Sequence, residues 1–535
     1  MSANRLREVR SVRSVYPSHK TGGMTAVPGA LEAIIRPEGP EPGKGTPTES
    51  YWIEEPFAKV DIVSVPEKGW ALGYFVREVS MNDQERKAYQ KLIDVLSKEL
   101  SPPSDTSVDA TSHVHAETRR LIKKYHSFLG GLPKESEAKV EYFIRRDLIG
   151  YGAIDSMVRD VNIEDISCDG LDRPIYVWHR KYESLFSNIA MKDPAAFDNF
   201  VIKLAHLAGR HVSTAFPLVD AMLPNKHRLA ATYAREVTVG GSTFTIRKFR
   251  EEPFSITDLI KMGTLDISLA AYFWLLLDLR KTMMIMGGTA AGKTSLLNAL
   301  TSLFKPGLKM VTVEETPELN LPHENWVQFV TRESYGLGAS KTGEVTLFDL
   351  VKTSLRYRPD YIIVGEVRGA EAFVLFQAMA TGHGGISTVH AESLDYALKR
   401  LTSPPMNVAP SYIPVLNVAC LIERVPLPNG TGKMPFGRRV TNVWEVMREN
   451  SGFRKTRVVS RWDPINDAFV SDFTRSTHIY EAAARMGRPS DYLMDELEKR
   501  KEALTLMIEK DIRNYKEVAK FITEYHTKST REEHR

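Results

Sequence analysis

The chain has 535 residues, 42% apolar and 26% charged, with a net charge of +4. That length exceeds one ordinary domain, and the composition excludes a disordered or membrane-embedded protein. Its two cysteines, Cys168 and Cys420, are too few for a disulfide framework or a cysteine-built zinc cluster, which fits a reducing cytoplasm.

The first twenty residues carry Arg5, Arg7, Arg10, Arg13 and Lys20 against Glu8, so the rest of the chain is close to neutral. This basic arm suits contact with anionic lipid or an acidic partner, or is simply a solvated tail. Residues 1–50 read as a flexible basic and Pro/Gly-rich arm, and no secretory signal is visible. Residues 51–250 read as an N-terminal domain, helical in its first part and α+β from about 160. Strands are expected at 59–65, 164–170, 174–179 and 243–249, and helices at 81–100, 113–130 and 134–149.

A linker at 251–256 leads into a domain at 257–440. There apolar strands at 282–286, 310–313, 361–364 and 386–389 alternate with helices, as in a mostly parallel α/β sheet. The apolar run from Ile267 to Leu277 is half a membrane span and reads as a core helix. Residues 441–535 read as a polar, largely helical extension, with Leu493, Leu497, Leu504, Ile508, Tyr515, Val518 and Ile522 at helical spacing.

Gly287-Gly-Thr-Ala-Ala-Gly-Lys-Thr294 matches G-x-x-x-x-G-K-[ST] between a buried strand and a helix beginning at Ser295. Gly287, Gly288, Thr289, Ala290, Ala291 and Gly292 let backbone N–H groups turn toward phosphate oxygens. Lys293 is placed to reach the β- and γ-phosphates of ATP, and Thr294 to offer its hydroxyl to Mg²⁺. Glu366 follows the strand at 361–364 and is the candidate to polarise the attacking water. Glu314, Glu315 and Glu318 crowd the end of another strand, so Mg²⁺ or an arginine is expected beside them, unless they form a solvated acidic turn. His383 and His390 flank a further strand. A metal site there has only His323 as an evident third ligand, so a hydrogen bond to the γ-phosphate fits better.

These motifs, in this order, resemble the secretion-superfamily ATPases of type II secretion, type IV pilus assembly and the archaellum, and are particularly similar to the archaeal branch. The resemblance rests on the loop at 287–294, an acidic box at 313–318, Gly365-Glu366 after the strand at 361–364, and a histidine box at 381–390. It covers 160–425 well and 51–160 loosely. It implies a C-terminal RecA-like P-loop ATPase domain, a mixed α+β N-terminal domain and a homo-hexameric ring on the cytoplasmic face of a membrane, pushing on a polytopic platform protein. It also implies that Glu366 is catalytic, that Glu314 and Glu318 help hold Mg²⁺ or water, and that His383 and His390 couple phosphate state to ring geometry. Arg228, Arg247 and Arg210 match arginines that such proteins send to the phosphates. The chain departs from the family at Ala290-Ala291, at Glu315 in place of Asp, and at Lys226-His227 before Arg228. A RecA-like nucleic-acid translocase is disfavoured by the near-neutral body. An ATP-binding scaffold with little turnover is disfavoured by the intact Lys293, Thr294 and Glu366.

Overall fold

The computed structural model describes residues 47–65, 70–99, 110–127, 130–332, 343–428, 436–447 and 455–533. The basic arm, apart from its last four residues, lies outside them. The chain divides into two compact units, Met1–Phe249 and Arg250–Arg535.

The first unit holds a nine-stranded sheet. In chain order its strands are β1 (Glu49–Glu54), β2 (Ala58–Val65), β3 (Trp70–Glu78), β4 (Ile163–Cys168), β5 (Pro174–His179), β6 (Glu183–Ala190), β7 (Leu218–Met222), β8 (Arg228–Thr232) and β9 (Thr243–Arg247). Their spatial order is β1-β2-β3-β6-β5-β4-β9-β8-β7, antiparallel except between β3 and β6. The last three strands alternate polar-out and apolar-in, so Leu229, Ala231, Phe244 and Ile246 are buried while Arg228 and Arg247 face solvent. Helices Asp83–Glu99, Ala110–Lys124 and Lys134–Ile144 pack on a separate apolar core around Leu92, Leu121 and Phe143.

The second unit holds another nine-stranded sheet: β10 (Met283–Gly287), β11 (Met310–Glu314), β12 (Trp326–Val330), β13 (Tyr361–Val364), β14 (Gly384–His390), β15 (Val418–Pro426), β16 (Phe436–Met447), β17 (Lys455–Asp463) and β18 (Ala468–Ser471). Their order is β12-β11-β13-β14-β10-β15-β16-β17-β18. Pairing is parallel from β12 to β15 and antiparallel from β15 to β18. The parallel strands read as unbroken apolar runs because both faces are covered. Along β10, Met283 and Ile285 enter one core, and Met284 and Met286 the opposite one. The fold is α/β, with a RecA-like sheet in this unit and an α+β unit before it.

The run Ile267–Asp278 is a helix capped by Asp266, and Leu269 to Leu277 are all buried. Among the described residues no helix is long and apolar enough to cross a membrane. Three helices follow, Thr477–Arg485, Ser490–Glu509 and Tyr515–Glu533, but they are preceded by the strands β16–β18, which continue the sheet past 440 where a largely helical extension was expected. Their polar residues are buried and paired, which conceals the alternation of a strand. Arg439 grips Asp467 through two hydrogen bonds of 2.7 and 2.8 Å. Glu445, wholly buried, accepts from Tyr272 Oη at 2.7 Å and from the Thr477 N–H at 2.9 Å.

The helix Ser490–Glu509 is tied to the core through Arg500, which donates to Asp278 at 2.7 Å and to Glu496 at 2.8 Å, with its guanidinium over the Trp274 ring. Arg500 and Asp278 are only 6% and 5% exposed. Removing Asp278 leaves the buried Arg500 charge with Glu496 as a remaining carboxylate partner. Asp278→Ala is expected to destabilise the protein by ~3–5 kcal/mol, read as a lowered denaturant midpoint.

Candidate nucleotide site

The parallel sheet brings four strand ends to one edge. Gly287 ends β10 and stands in register with His390 at the end of β14. β13 lies on the other side of β14 and runs into Gly365 and Glu366. It is fastened there by Thr388, whose hydroxyl donates to the Gly365 carbonyl at 2.7 Å and whose carbonyl accepts from the Val367 N–H at 2.9 Å. β11 follows, ending in Glu314.

The loop after β10 depends on missing side chains. A Cβ on Gly287 would lie 2.4 Å from the Ile422 carbonyl oxygen, and one on Gly292 would lie 3.0 Å from Arg438 Cδ. Gly292 has φ of 99°, and Ala290, where the resembling family carries glycine, has φ of 58°. Left-handed backbone at an alanine costs about 1–2 kcal/mol. Arg438, on β16, donates to the Ala290 carbonyl at 3.1 Å and helps hold that conformation. Lys293, first residue of the helix Lys293–Thr301, folds back onto the carbonyls of Gly287 at 3.1 Å and Gly288 at 2.8 Å. Burial lowers its pKa, and Glu366 and Glu318 pull it back up. Thr294 and Ser295 follow on the first turn, both partly buried.

Glu366 is ion-paired with Arg368 at 2.7 Å, and the same guanidinium reaches Glu315 at 3.2 Å. An arginine therefore compensates this part of the acidic cluster. Arg368 and Arg438 were both missed as site residues. The first carried a signal, two positions beyond Glu366 in the same motif; the second had none, because β16 is distant in sequence.

Two assignments change. Glu314, expected to hold Mg²⁺, is 2% exposed and both its oxygens are occupied. Oε1 accepts the N–H groups of Glu318 and Leu319, each at 2.8 Å, and Oε2 accepts from Gln328 at 2.9 Å. It shapes the turn that carries Glu318. His383, expected at the phosphates, precedes β14 while His390 ends it. Seven extended residues at ~3.3 Å each set them about 20 Å apart, on opposite edges of the sheet. His383 instead closes a helix end, its Nδ1 3.2 Å from the Ala378 carbonyl. His323 sits 2.9 Å from the Thr301 carbonyl, and no group of three metal-ligating side chains occurs among the described residues.

In the first unit, Arg228 and Arg247 are directly opposed across β8 and β9. Arg228 is held by Asp220 through contacts of 3.1 and 2.7 Å, which offsets the like-charge pairing. The turn before Arg228 closes with Lys226 at φ of 61°, doing what glycine does elsewhere. Arg210 lies in the turn after the helix Pro194–Leu207.

A family model described as "Type II/IV secretion system protein" matches residues 171–420. An uncharacterized protein of Methanocaldococcus jannaschii is 35% identical over 484 residues, 85% of this chain and 85% of that one. The chain belongs to the type II/IV secretion system protein family. Another relative, the type IV secretion system protein PtlH of Bordetella pertussis, is 30% identical over 45% of this chain and 78% of its own length. The pilus retraction motor PilT, solved with bound ADP, is 17% identical over 56% of this chain and 83% of its own, with a TM-score of 0.41. In this secretion-family chain the loop, Glu366 and His390 all fall inside the matched region, whereas Arg438 falls outside it.

Burial pushes the Glu314 carboxyl up to about 7, against three hydrogen bonds that favour its ionised form. A carboxyl raised in the folded state from an ordinary 4.5 binds more protons folded than unfolded, so its contribution is lost as pH rises through about 7. Wild type is expected to lose up to roughly 3 kcal/mol of stability relative to Glu314→Gln between pH 4.5 and 7.5, measured by denaturant titration across that range.

Proposed function

We propose that this chain is an ATP-hydrolysing motor. It works as a homo-hexamer on a polytopic membrane platform protein at the cytoplasmic face, powering a type IV pilus-like filament, an archaellum or protein secretion. The observation that carries this reading is the placement of Glu366 and the Lys293 loop on one edge of the sheet, with the electrostatic influence of Glu366 felt at Lys293.

The residues present fit ATP with Mg²⁺. Gly287 and Gly292 let the loop pack against Ile422 and Arg438 where a Cβ would clash, and the loop opens onto a helix N-terminus that favours anions. Thr294 would hold Mg²⁺, which when bound neutralises charge on the phosphate oxygens. Lys293 exchanges the loop carbonyls for phosphate oxygens. Glu366 accepts the proton of the attacking water as the bond between the γ-phosphorus and the bridging oxygen breaks, yielding ADP and inorganic phosphate. Arg368, paired with Glu366, must let that carboxylate turn toward the water. In this proposal Arg228, Arg247 and Arg210 are the arginines offered to phosphate oxygens, since a guanidinium fork meets two of them at once.

Lys293→Ala is expected to abolish binding of a fluorescent ATP analogue. Glu366→Gln should retain binding and lose about 10²–10⁴ in turnover. Normal hydrolysis by Glu366→Gln would overturn the catalytic assignment. A ring also requires turnover per chain to climb with protein concentration, without stimulation by DNA; a flat rate removes the ring, and stimulation by DNA favours a translocase.

A further inference from the structure

Beside the proposed hydrolysis site lies a cavity of ≈ 200 Å³, lined by Arg368, Tyr396, Lys399, Arg400, Pro404 and Met406 among others. Three of its lining residues are cationic and none is acidic. Two of the three also reach the carboxyl edge of the sheet. Arg368 pairs with Glu366 at 2.7 Å, and Arg400 donates to the carbonyl of His390, the residue in register with Gly287. Tyr396, Lys399 and Arg400 come from the helix Leu394–Thr402, and Tyr396 is half exposed at the rim.

From this geometry we infer that the cavity is a holding site for inorganic phosphate on its way out of the hydrolysis site. The inference rests on the proposed ATPase reading and adds a product route to it. The volume suits one small anion rather than a peptide or a nucleotide. Two guanidinium forks and an ammonium are the donors that tetrahedral phosphate oxygens meet best. The anion this chain would generate, at Glu366, is phosphate. Arg368 touches the carboxylate that drives its formation and also lines the space that would receive it. Phosphate entering the cavity competes with Glu366 and Glu315 for the Arg368 guanidinium, so its grip on Glu366 loosens while the product is held.

The test uses the full chain and inorganic phosphate, with binding measured by calorimetry in the absence of nucleotide. Lys399 is exposed and outside the hydrolysis machinery, so Lys399→Glu keeps the fold while reversing one of the three charges. Phosphate affinity is expected to fall about tenfold or more in Lys399→Glu. Inhibition of ATP turnover by added phosphate should weaken by the same factor, with KM for ATP unchanged. Phosphate binding that ignores Lys399→Glu but vanishes in Lys293→Ala would overturn the inference, since the nucleotide loop would then be the phosphate site. Absence of any binding would overturn it as well. Phosphate binding through Lys399 in a protein without ATP turnover would sink the ATPase reading and leave an anion site standing. Normal ATP turnover without that binding would do the reverse.

Discussion

The parallel register of β11, β13, β14 and β10 is the constraint on which the site depends. Parallel neighbours end together, and every crossover must return along a face of the sheet, so Gly287, Glu314, Glu366 and His390 are delivered to one edge from separate segments spread over residues 287–390. The same rule sends His383 to the other edge. Two histidines that look like one motif in the sequence are separated by the length of a strand.

Electrostatics at that edge follows from burial more than from counting charges. Glu314 is taken out of water and satisfied by three donors, so desolvation overrides the hydrogen bonds and lifts its titration toward neutrality. Glu315 and Glu366 remain accessible and share Arg368. The acidic cluster is thus divided between a carboxylate that positions a turn and two accessible ones that share an arginine. Ala290, in left-handed backbone, is tolerated because the loop is held from a different strand by Arg438.

The C-terminal helices are part of the same compact unit as the sheet. Leu497, Leu504 and Ile522 join the apolar core beneath β10, and Arg500 brings a charge into it that only Asp278 and Glu496 make tolerable. Burying ions in this way contributes orientation more than net stability, because desolvation consumes much of the Coulombic gain. Here the orientation fixed is that of a long helix against the buried segment Ile267–Asp278, which leads directly into the loop-bearing strand.

The sequence alone determined whatever depends on contiguous residues. The P-loop, the apolar strands of the parallel sheet, the core helix at 267–277 and the spacing of the last helices were legible because local periodicity and glycine placement carry them. The family was legible for the same reason, through four short motifs. Tertiary structure decided what depends on partners remote along the chain. Strands β16–β18 hide their alternation, because Arg439 and Glu445 are buried against partners that no window of sequence contains. Arg438 reaches Ala290 from 148 positions away. The inward turn of Glu314, the opposite placements of His383 and His390, and the meeting of Arg368 with Lys399 and Arg400 around one cavity all follow from strand direction and packing. Neither is written in the identity of a residue or its neighbours.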